Sequence, residues 1–170
     1  YVRDVTSGMF WSTAHQPALQ RSAHYEAIFT EARAEFRRRD HELELHTEIV
    51  VSPEDDIELR RVRIVNRSRV RRTIDVTSYA EVALAPPAAD SLHPAFSNLF
   101  VQTEIVPQRQ AILCTRRPRS LDEQAPWMLH LMVVHGTEST DVSYETDRMA
   151  FIGRGRTVAA PQALTGAERL

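Results

Sequence analysis

Apolar and polar residues alternate with a period of two along much of this chain, which is typical of antiparallel strands that bury one face. The alternation is clearest over residues 74–82, where Ile74, Val76 and Val82 face one side and Tyr79 and Glu81 the other. It recurs over 41–51, where apolar residues and Thr47 alternate with Glu and His. Both stretches are predicted to be strands, and further strands are expected at 24–30, 57–66, 109–115, 127–134 and 148–153.

A hairpin is predicted between residues 32–38 and the strand that starts near His41. A two-residue turn at 39–40 would place Phe36 opposite Leu43 and Ala34 opposite Leu45, so that apolar side chains meet across the strands. In the next strand the apolar phase shifts, which predicts a β-bulge at 60–61.

Two stretches interrupt the strand pattern. Pro86 and Pro87 end a strand, and Pro94 is placed to begin a short helical turn over 94–100. Residues 116–126 are polar and proline-bounded, as in a surface loop, and 153–156 are expected to form a turn. The whole pattern predicts an all-β protein: one large antiparallel β-sandwich domain over 1–170 with one short helical turn near 94–100.

Composition and charge narrow the possible functions. Hydrophobic residues make up 42% and charged residues 26%, which is ordinary for a globular domain. All 21 basic residues are Arg, but 23 acids interleave with them and the net charge is −2, so no nucleic-acid partner is predicted. Cys114 stands alone among apolar neighbours and is expected to be buried. No segment resembles a membrane span, and a first residue other than Met leads us to expect a soluble fragment of a larger protein.

Candidate catalytic and metal-binding groups are few. The seven His residues form no spacing typical of a zinc site, so no metal and no cofactor is predicted. Glu42, Glu44 and Glu48 share one strand face; a solvated surface is favoured over catalytic carboxylates for them. Trp11 and Trp127 are expected in the core rather than as sugar platforms. No catalytic residue is predicted.

The excursion between Asp90 and Phe100 is the candidate binding site. His93, Phe96 and Asn98 combine one stacking ring with polar side chains, and long loops on rigid scaffolds commonly carry ligand contacts. These three residues are the predicted ligand-binding residues. The alternative is that Phe96, Leu99 and Phe100 only cap one end of the sandwich.

Several segments, taken in order, resemble one known family. YVRDVTSGMFWS, in which two short strands meet at a turn over 6–8 and Arg3 is expected to pair with Asp4, is followed by VRIVNRS and TIDVTSYAEVAL. Together they resemble the N-terminal β-sandwich domain of glycoside hydrolase family 94, the cellobiose and cellodextrin phosphorylases. TEIVVSPEDDIELRRVRI and LAPPAADSLHPAFSNLFVQTEI resemble, more narrowly, the phosphorylase-like C-terminal region of cyclic β-1,2-glucan synthases.

This resemblance covers nearly the whole chain and implies both a fold and a role. The fold would be a supersandwich of the galactose mutarotase type, followed in the parent chain by an all-helical barrel that carries the general acid and the phosphate contacts. The implied role is a non-catalytic carbohydrate-binding accessory domain, whose partners are a β-glucan, the C-terminal helical barrel and possible second copies in a homodimer. The parent would be membrane-bound, with this domain on the cytoplasmic side of the inner membrane and not inserted into it.

Two other functions stay open at the level of the sequence. The domain could be purely structural, packing against other domains or a second subunit without touching sugar. It could also be an enzyme of the mutarotase type, although no His and Glu can be brought together from spacing alone.

Overall fold

The computed structural model describes residues 1–118, 120, 122–136 and 141–166 and consists mainly of antiparallel sheet. The all-β, antiparallel fold class is therefore confirmed. The strands, in chain order, are β1 (Val2–Asp4), β2 (Phe10–Trp11), β3 (His24–Phe29), β4 (Ala34–Asp40), β5 (Leu43–Val51), β6 (Glu58–Asn66), β7 (Ile74–Val76), β8 (Val101–Val106), β9 (Ala111–Arg116) and β10 (Trp127–Leu131). The α-helices are α1 (Pro87–Leu92), α2 (Pro94–Asn98), α3 (Arg148–Ile152) and α4 (Gln162–Thr165).

The described residues cluster in two compact units. The first comprises residues 1–77 and 149–166, and the second comprises Ser78–Arg148. The prediction of a single domain over 1–170 stays a prediction. No helix among the described residues has the length and apolar character that a membrane span requires.

The first unit contains a four-stranded sheet in the order β3-β4-β5-β6 and a three-stranded sheet in the order β2-β1-β7. Apolar residues of both sheets form its core, because the alternation directs one face of each strand inward. The buried cluster consists of Val2, Trp11, Leu43 and Leu45, with Ile64 and Ile74 packed against it. Trp11 is thus a core residue, as expected.

A buried ion pair adjoins this core. The side chain of Arg38 on β4 is fully buried and binds Asp40 through two hydrogen bonds, Nε to Oδ2 at 2.6 Å and Nη2 to Oδ1 at 2.9 Å. Its Nη1 donates to the backbone oxygens of Ser12, at 2.7 Å, and Ala14, at 2.8 Å. Arg38 therefore fastens the loop that follows β2 to the four-stranded sheet.

The hairpin between β4 and β5 exists, but the predicted register was wrong. Its turn consists of His41 and Glu42, at φ +45° and +66°, so that Phe36 lies opposite Thr47. Two-residue hairpin turns of this type require positive φ at both central residues. The prediction placed Arg39 and Asp40 in the turn, whereas Asp40 lies inside the sheet as the partner of Arg38.

Three other strand predictions were wrong in part. The predicted strand over 74–82 ends at Val76, because its partner β1 is only three residues long and alternation alone supplies no hydrogen bonds. Residues 148–152 form helix α3 instead of a strand; its buried residues, Phe151 and Ile152, are adjacent rather than alternate. There is no bulge at 60–61, since β6 pairs with β5 in unbroken register. Most of β6 is exposed, so burial does not fix the alternation of its apolar residues.

The opening segment behaves as two short strands, but its charges pair differently from the expectation. Asp4 accepts a hydrogen bond from Arg72 Nη1 at 2.6 Å, and Arg3 Nε lies 3.9 Å from Asp75 Oδ2. Adjacent strand residues point to opposite faces, so Arg3 and Asp4 cannot meet and each finds a partner near β7.

The second unit contains the three-stranded sheet β10-β9-β8 and the helices α1 and α2. The helical turn expected near 94–100 is α2, and α1 is an additional helix that the prolines at 86 and 87 initiate. Cys114 on β9 is buried, as expected, and burial raises the pKa of its thiol. Trp127 was expected in the core but is 64% exposed, because it lies with Leu129 and Leu131 on the exposed face of β10.

Candidate functional site in the second unit

The predicted binding loop is built on helix α2. Pro94 occupies the first helical turn, where its missing N–H is no loss, and Ser97 N donates to His93 O at 2.9 Å. His93, just before the helix, is exposed, and so are Phe96 and Asn98 within it. The structure therefore presents all three predicted ligand-binding side chains at the surface, and their role in binding stays a prediction.

The aromatic side chains of the loop form a small platform. The rings of Phe96 and Phe100 meet edge to face, with centroids 5.2 Å apart, and 57% of Phe96 is exposed. Edge-to-face contact is a favoured geometry for aromatic pairs. Phe100 is half-buried and supports Phe96, whose exposure leaves part of its ring open to solvent.

Two arginines at the end of β9 complete this platform. The guanidinium carbons of Arg116 and Arg117 lie 5.3 Å and 5.7 Å from the centroid of the Phe100 ring, within the range of cation–π attraction. Arg117 N also donates to Phe100 O at 2.9 Å. We name Phe96, Phe100, Arg116 and Arg117 together the aromatic platform.

Arg116 holds helix α2 in place. Its side chain is buried, and its Nη1 donates to Ser97 O at 2.9 Å, to Ser97 Oγ at 3.1 Å and to Ala83 O at 3.3 Å. Ser97 is the buried residue of α2. The helix that carries Phe96 is therefore fixed to the sheet by a charged donor, and charge-assisted hydrogen bonds of this kind are about twice as strong as neutral ones.

Sequence reasoning missed this use of the arginines, because it assigned residues 116–126 to a polar surface loop. The signal was present in the alternation: Arg116 is two residues beyond the buried Cys114 and so lies on the same face of β9. A charged residue at an inward position predicts a buried partner. The partner itself, Ser97 on α2, could not be read from the sequence.

Within α2, the helical geometry separates two of the predicted residues. Phe96 and Asn98 are two positions apart, and side chains at that spacing point to different sides of a helix. Asn98 therefore points to a different side of α2 from a ligand stacked on Phe96.

The glutamates of the predicted acidic face of β5 are mostly engaged with arginines. Glu48 accepts hydrogen bonds from Arg61 Nε at 2.7 Å and Arg33 Nη1 at 3.4 Å, and the Arg61 bond is the main reason that its pKa lies below its ordinary value. Glu44 pairs with Arg67 at 2.8 Å. Glu42 lies in the hairpin turn instead of on the strand. Glu44 and Glu48 are therefore ion-paired on the surface of the sheet.

Comparison with known proteins identifies the family. The model of the glycosyl hydrolase 94 supersandwich domain matches residues 1–170. The chain belongs to this family. The family resemblance read from the short motifs near the start of the chain is thereby confirmed.

A relative of this supersandwich domain is found in a much longer protein. The chain is 36% identical over 163 residues to the cyclic beta-(1,2)-glucan synthase NdvB of Rhizobium meliloti (strain 1021). The match covers 96% of this chain and spans 6% of the length of that relative.

Proposed function

We propose that this supersandwich domain is a non-catalytic carbohydrate-binding domain of a β-glucan-handling enzyme, in which the aromatic platform helps to form the sugar cleft. The observation that carries the proposal is the exposed ring of Phe96 on a helix that Arg116 fixes to the sheet. Carbohydrate as the ligand is supported by the family and by the glucan synthase to which this chain is 36% identical over 163 residues.

In this proposal the sugar makes apolar contacts with one side chain and hydrogen bonds with another. The exposed face of Phe96 packs against the C–H groups of a pyranose ring, and His93 or Asn98 bonds a hydroxyl. Because Arg116 already fixes α2, little conformational entropy is lost when the sugar binds. The edge-to-face contact with Phe100 supports the Phe96 ring from one side.

A second part of the proposal is that one sheet face docks the helical barrel of the parent chain. Trp127, Leu129 and Leu131 alternate along the edge strand β10 and are each more than half exposed, at 64%, 58% and 52%. Such a row of large apolar side chains on one face is typical of an interface. The alternative function is purely structural, in which the domain docks on the barrel and does not contact sugar.

The docking role has its own test. In a chain extended through the helical barrel, Trp127→Ser should lower the midpoint of thermal unfolding, because the apolar contact with the barrel is lost. In the 170-residue chain the same change should have little effect, since Trp127 is already exposed. An equal change in both proteins would contradict a docking role for this face.

The domain is proposed to lack catalysis of its own, as an accessory domain on the cytoplasmic side of the inner membrane, with a homodimer as one possible assembly. Incubation with β-1,2-glucan and inorganic phosphate should release no glucose 1-phosphate. The rate at which freshly dissolved glucose changes its optical rotation should be the same with and without the protein. Turnover in either assay would contradict the non-catalytic role.

Binding itself is tested by calorimetric titration of the 170-residue chain with linear and cyclic β-1,2-glucans, with cello-oligosaccharides as the linkage control. Heat of binding with a β-1,2-glucan is the expected result. No binding to any of these glucans would contradict the proposal and favour the purely structural alternative.

A further inference from the structure

Two small cavities lie side by side on the first unit, separated by Gln20 and Arg21, which line both. The first has a volume of about 230 Å³ and the second of about 240 Å³. The first is lined by the turn after β1, by Phe10 and Trp11, and by Asp40 and His41; the second by His15, Ser22 and Tyr25. We name the two cavities together the Arg21 groove. None of its lining residues belongs to the aromatic platform.

The loop that forms the groove is held rigidly. Besides the bonds of Arg38 to the backbone of Ser12 and Ala14, the Ser12 hydroxyl donates to Ala14 O at 2.9 Å and accepts from Ala18 N at 3.2 Å. Arg38 Nη2 also lies 3.4 Å from Gln20 O. The backbone that presents Gln20 and Arg21 is therefore fixed before any ligand arrives, which lowers the entropic cost of binding.

The side chains around the groove are available to a ligand. Within the part of the chain that the structure describes, the side chains of Gln20, Arg21 and His41 form no hydrogen bond or ion pair. Trp11 is only 2% exposed and its Nε1 is buried, so it offers the ligand an apolar wall and no hydrogen bond. Tyr25 is 41% exposed. A wall of Met9, Phe10 and Trp11 faces these polar groups in the first cavity. An apolar wall with a few polar side chains is the usual composition of a small-molecule site.

The mixture of groups favours a hydroxyl-rich neutral ligand over an anion. Asp40 lines the first cavity with a carboxylate that Arg38 already neutralises, so the cavity offers acceptors as well as donors. The amide of Gln20 can donate and accept at once, as sugar hydroxyls require. Each cavity is smaller than the ~300–1,000 Å³ that holds a drug-sized ligand, which suits a single sugar ring.

We propose that the Arg21 groove binds two consecutive sugar units of a glucan, one in each cavity, with Gln20 and Arg21 between them. The choice of glucan rests on the proposed function, whereas the number of units follows from the two cavities. Arg21 bonds hydroxyls on both units, Tyr25 packs against the ring in the second cavity, and Trp11 forms the wall of the first.

Trp11 provides a direct reporter of this site. The chain contains two tryptophans, so its ¹⁵N-correlated spectrum shows two indole signals, which Trp127→Phe assigns. Titration with the β-1,2-linked glucose disaccharide should shift the Trp11 signal, and titration with inorganic phosphate should not. A Trp11 signal that stays in place with the disaccharide, or that responds equally to phosphate alone, would overturn the proposal.

Matched arginine variants make the test specific. Arg21→Ala should weaken disaccharide binding by at least about fivefold, the loss of one or more hydrogen bonds, and Tyr25→Ala should weaken it too. Arg69→Ala is the control, because Arg69 is also an exposed arginine of the first unit without a partner among the described residues. Binding that Arg21→Ala leaves unchanged, or that Arg69→Ala weakens equally, would contradict the assignment.

The two proposed sites can fail separately. If Phe96→Ala abolishes glucan binding and Arg21→Ala does not affect it, the groove proposal is wrong and the proposed function stands. If the disaccharide shifts the Trp11 signal, Arg21→Ala prevents the shift and Phe96→Ala has no effect on glucan binding, the groove stands and the role of the platform is wrong. No response to any glucan overturns both.

Discussion

At the scale of single residues, Arg38 both forms a buried ion pair and holds a loop in place. Its buried side chain balances Asp40 and holds the loop that follows Trp11. Removal of one partner of a buried ion pair leaves the other charge buried without compensation, which is far more costly than the loss of an exposed pair.

We therefore expect Arg38→Met to lower the free energy of unfolding by about 3–5 kcal/mol. The control is Arg37→Met on the same strand, whose side chain is 50% exposed and pairs with Glu26 and Glu35. That variant should cost less than about 1 kcal/mol. Urea denaturation monitored by circular dichroism measures both, and equal losses would contradict the role assigned to Arg38.

A cluster of charges around Glu35 should make stability depend on pH. His46 Nε2 lies 3.0 Å from Glu35 Oε2, and this hydrogen bond, followed by Arg33 and Arg37, outweighs burial and holds the Glu35 pKa below its ordinary value of 4.5. A carboxyl with a lowered pKa in the folded state adds stability above its ordinary pKa, and that stability is lost as the pH falls through the lowered value.

Acidification from about pH 6 to about pH 3 should therefore lower the urea midpoint of the native chain. In Glu35→Gln the midpoint should depend less steeply on pH over the same interval, because the variant lacks this proton uptake, although Glu48 and Asp4 also have lowered pKa values and contribute to the remaining slope. Identical slopes for the two proteins would show that the Glu35 cluster does not contribute.

The sequence predicts residue burial well where alternation applies and poorly where a charge is buried. Trp11 and Cys114 were correctly expected inside. Arg38 and Arg116 were not, because the same pattern is read as polar and therefore solvated. Trp127 was expected inside and is exposed, since the size of a side chain does not reveal which face of its strand is covered.

At the scale of elements, the turn between β4 and β5 shows what sequence patterning lacks. The faces of both strands were assigned correctly, because a shift of the turn by two residues preserves which side chains point inward. The register was wrong, since the turn contains no glycine or asparagine and Glu42 is not a residue typical of positive φ. Only the need to place Asp40 beside Arg38 fixes the turn.

This turn predicts a stabilising substitution. Glu42 holds φ +66°, a conformation that costs a residue with a side chain roughly 1 kcal/mol or more and costs glycine nothing. We expect Glu42→Gly to raise the free energy of unfolding by up to about 1 kcal/mol, after the greater flexibility of glycine in the unfolded chain is subtracted. Glu44→Gly within β5 is the control and should be destabilising. Loss of stability in Glu42→Gly would mean that the turn is not strained.

At the scale of the whole molecule, the fold class and the family could be predicted from the sequence, whereas the Arg21 groove could not. Short ordered motifs were sufficient for the family, and the match over residues 1–170 confirms it. The Arg21 groove gathers residues 8–11, 15, 20–22, 25 and 40–41, which no local pattern connects. Residues that meet only through tertiary packing cannot be identified from hydrophobic periodicity or from the spacing of motifs.

The central claim is that glucan binds to the platform that carries Phe96, and one comparison tests it most directly. Calorimetric titration with linear β-1,2-glucan is carried out on the native chain, on Phe96→Ala and on Leu92→Ala, a control with an exposed apolar side chain on α1. Phe96→Ala should weaken binding about tenfold or more, as the loss of a stacking contact of ~1.4 kcal/mol predicts. Its thermal midpoint should change little, because Phe96 is 57% exposed and a buried phenylalanine would instead cost ~3–5 kcal/mol. Leu92→Ala should bind as the native chain does. Undiminished binding by a folded Phe96→Ala protein would contradict the account.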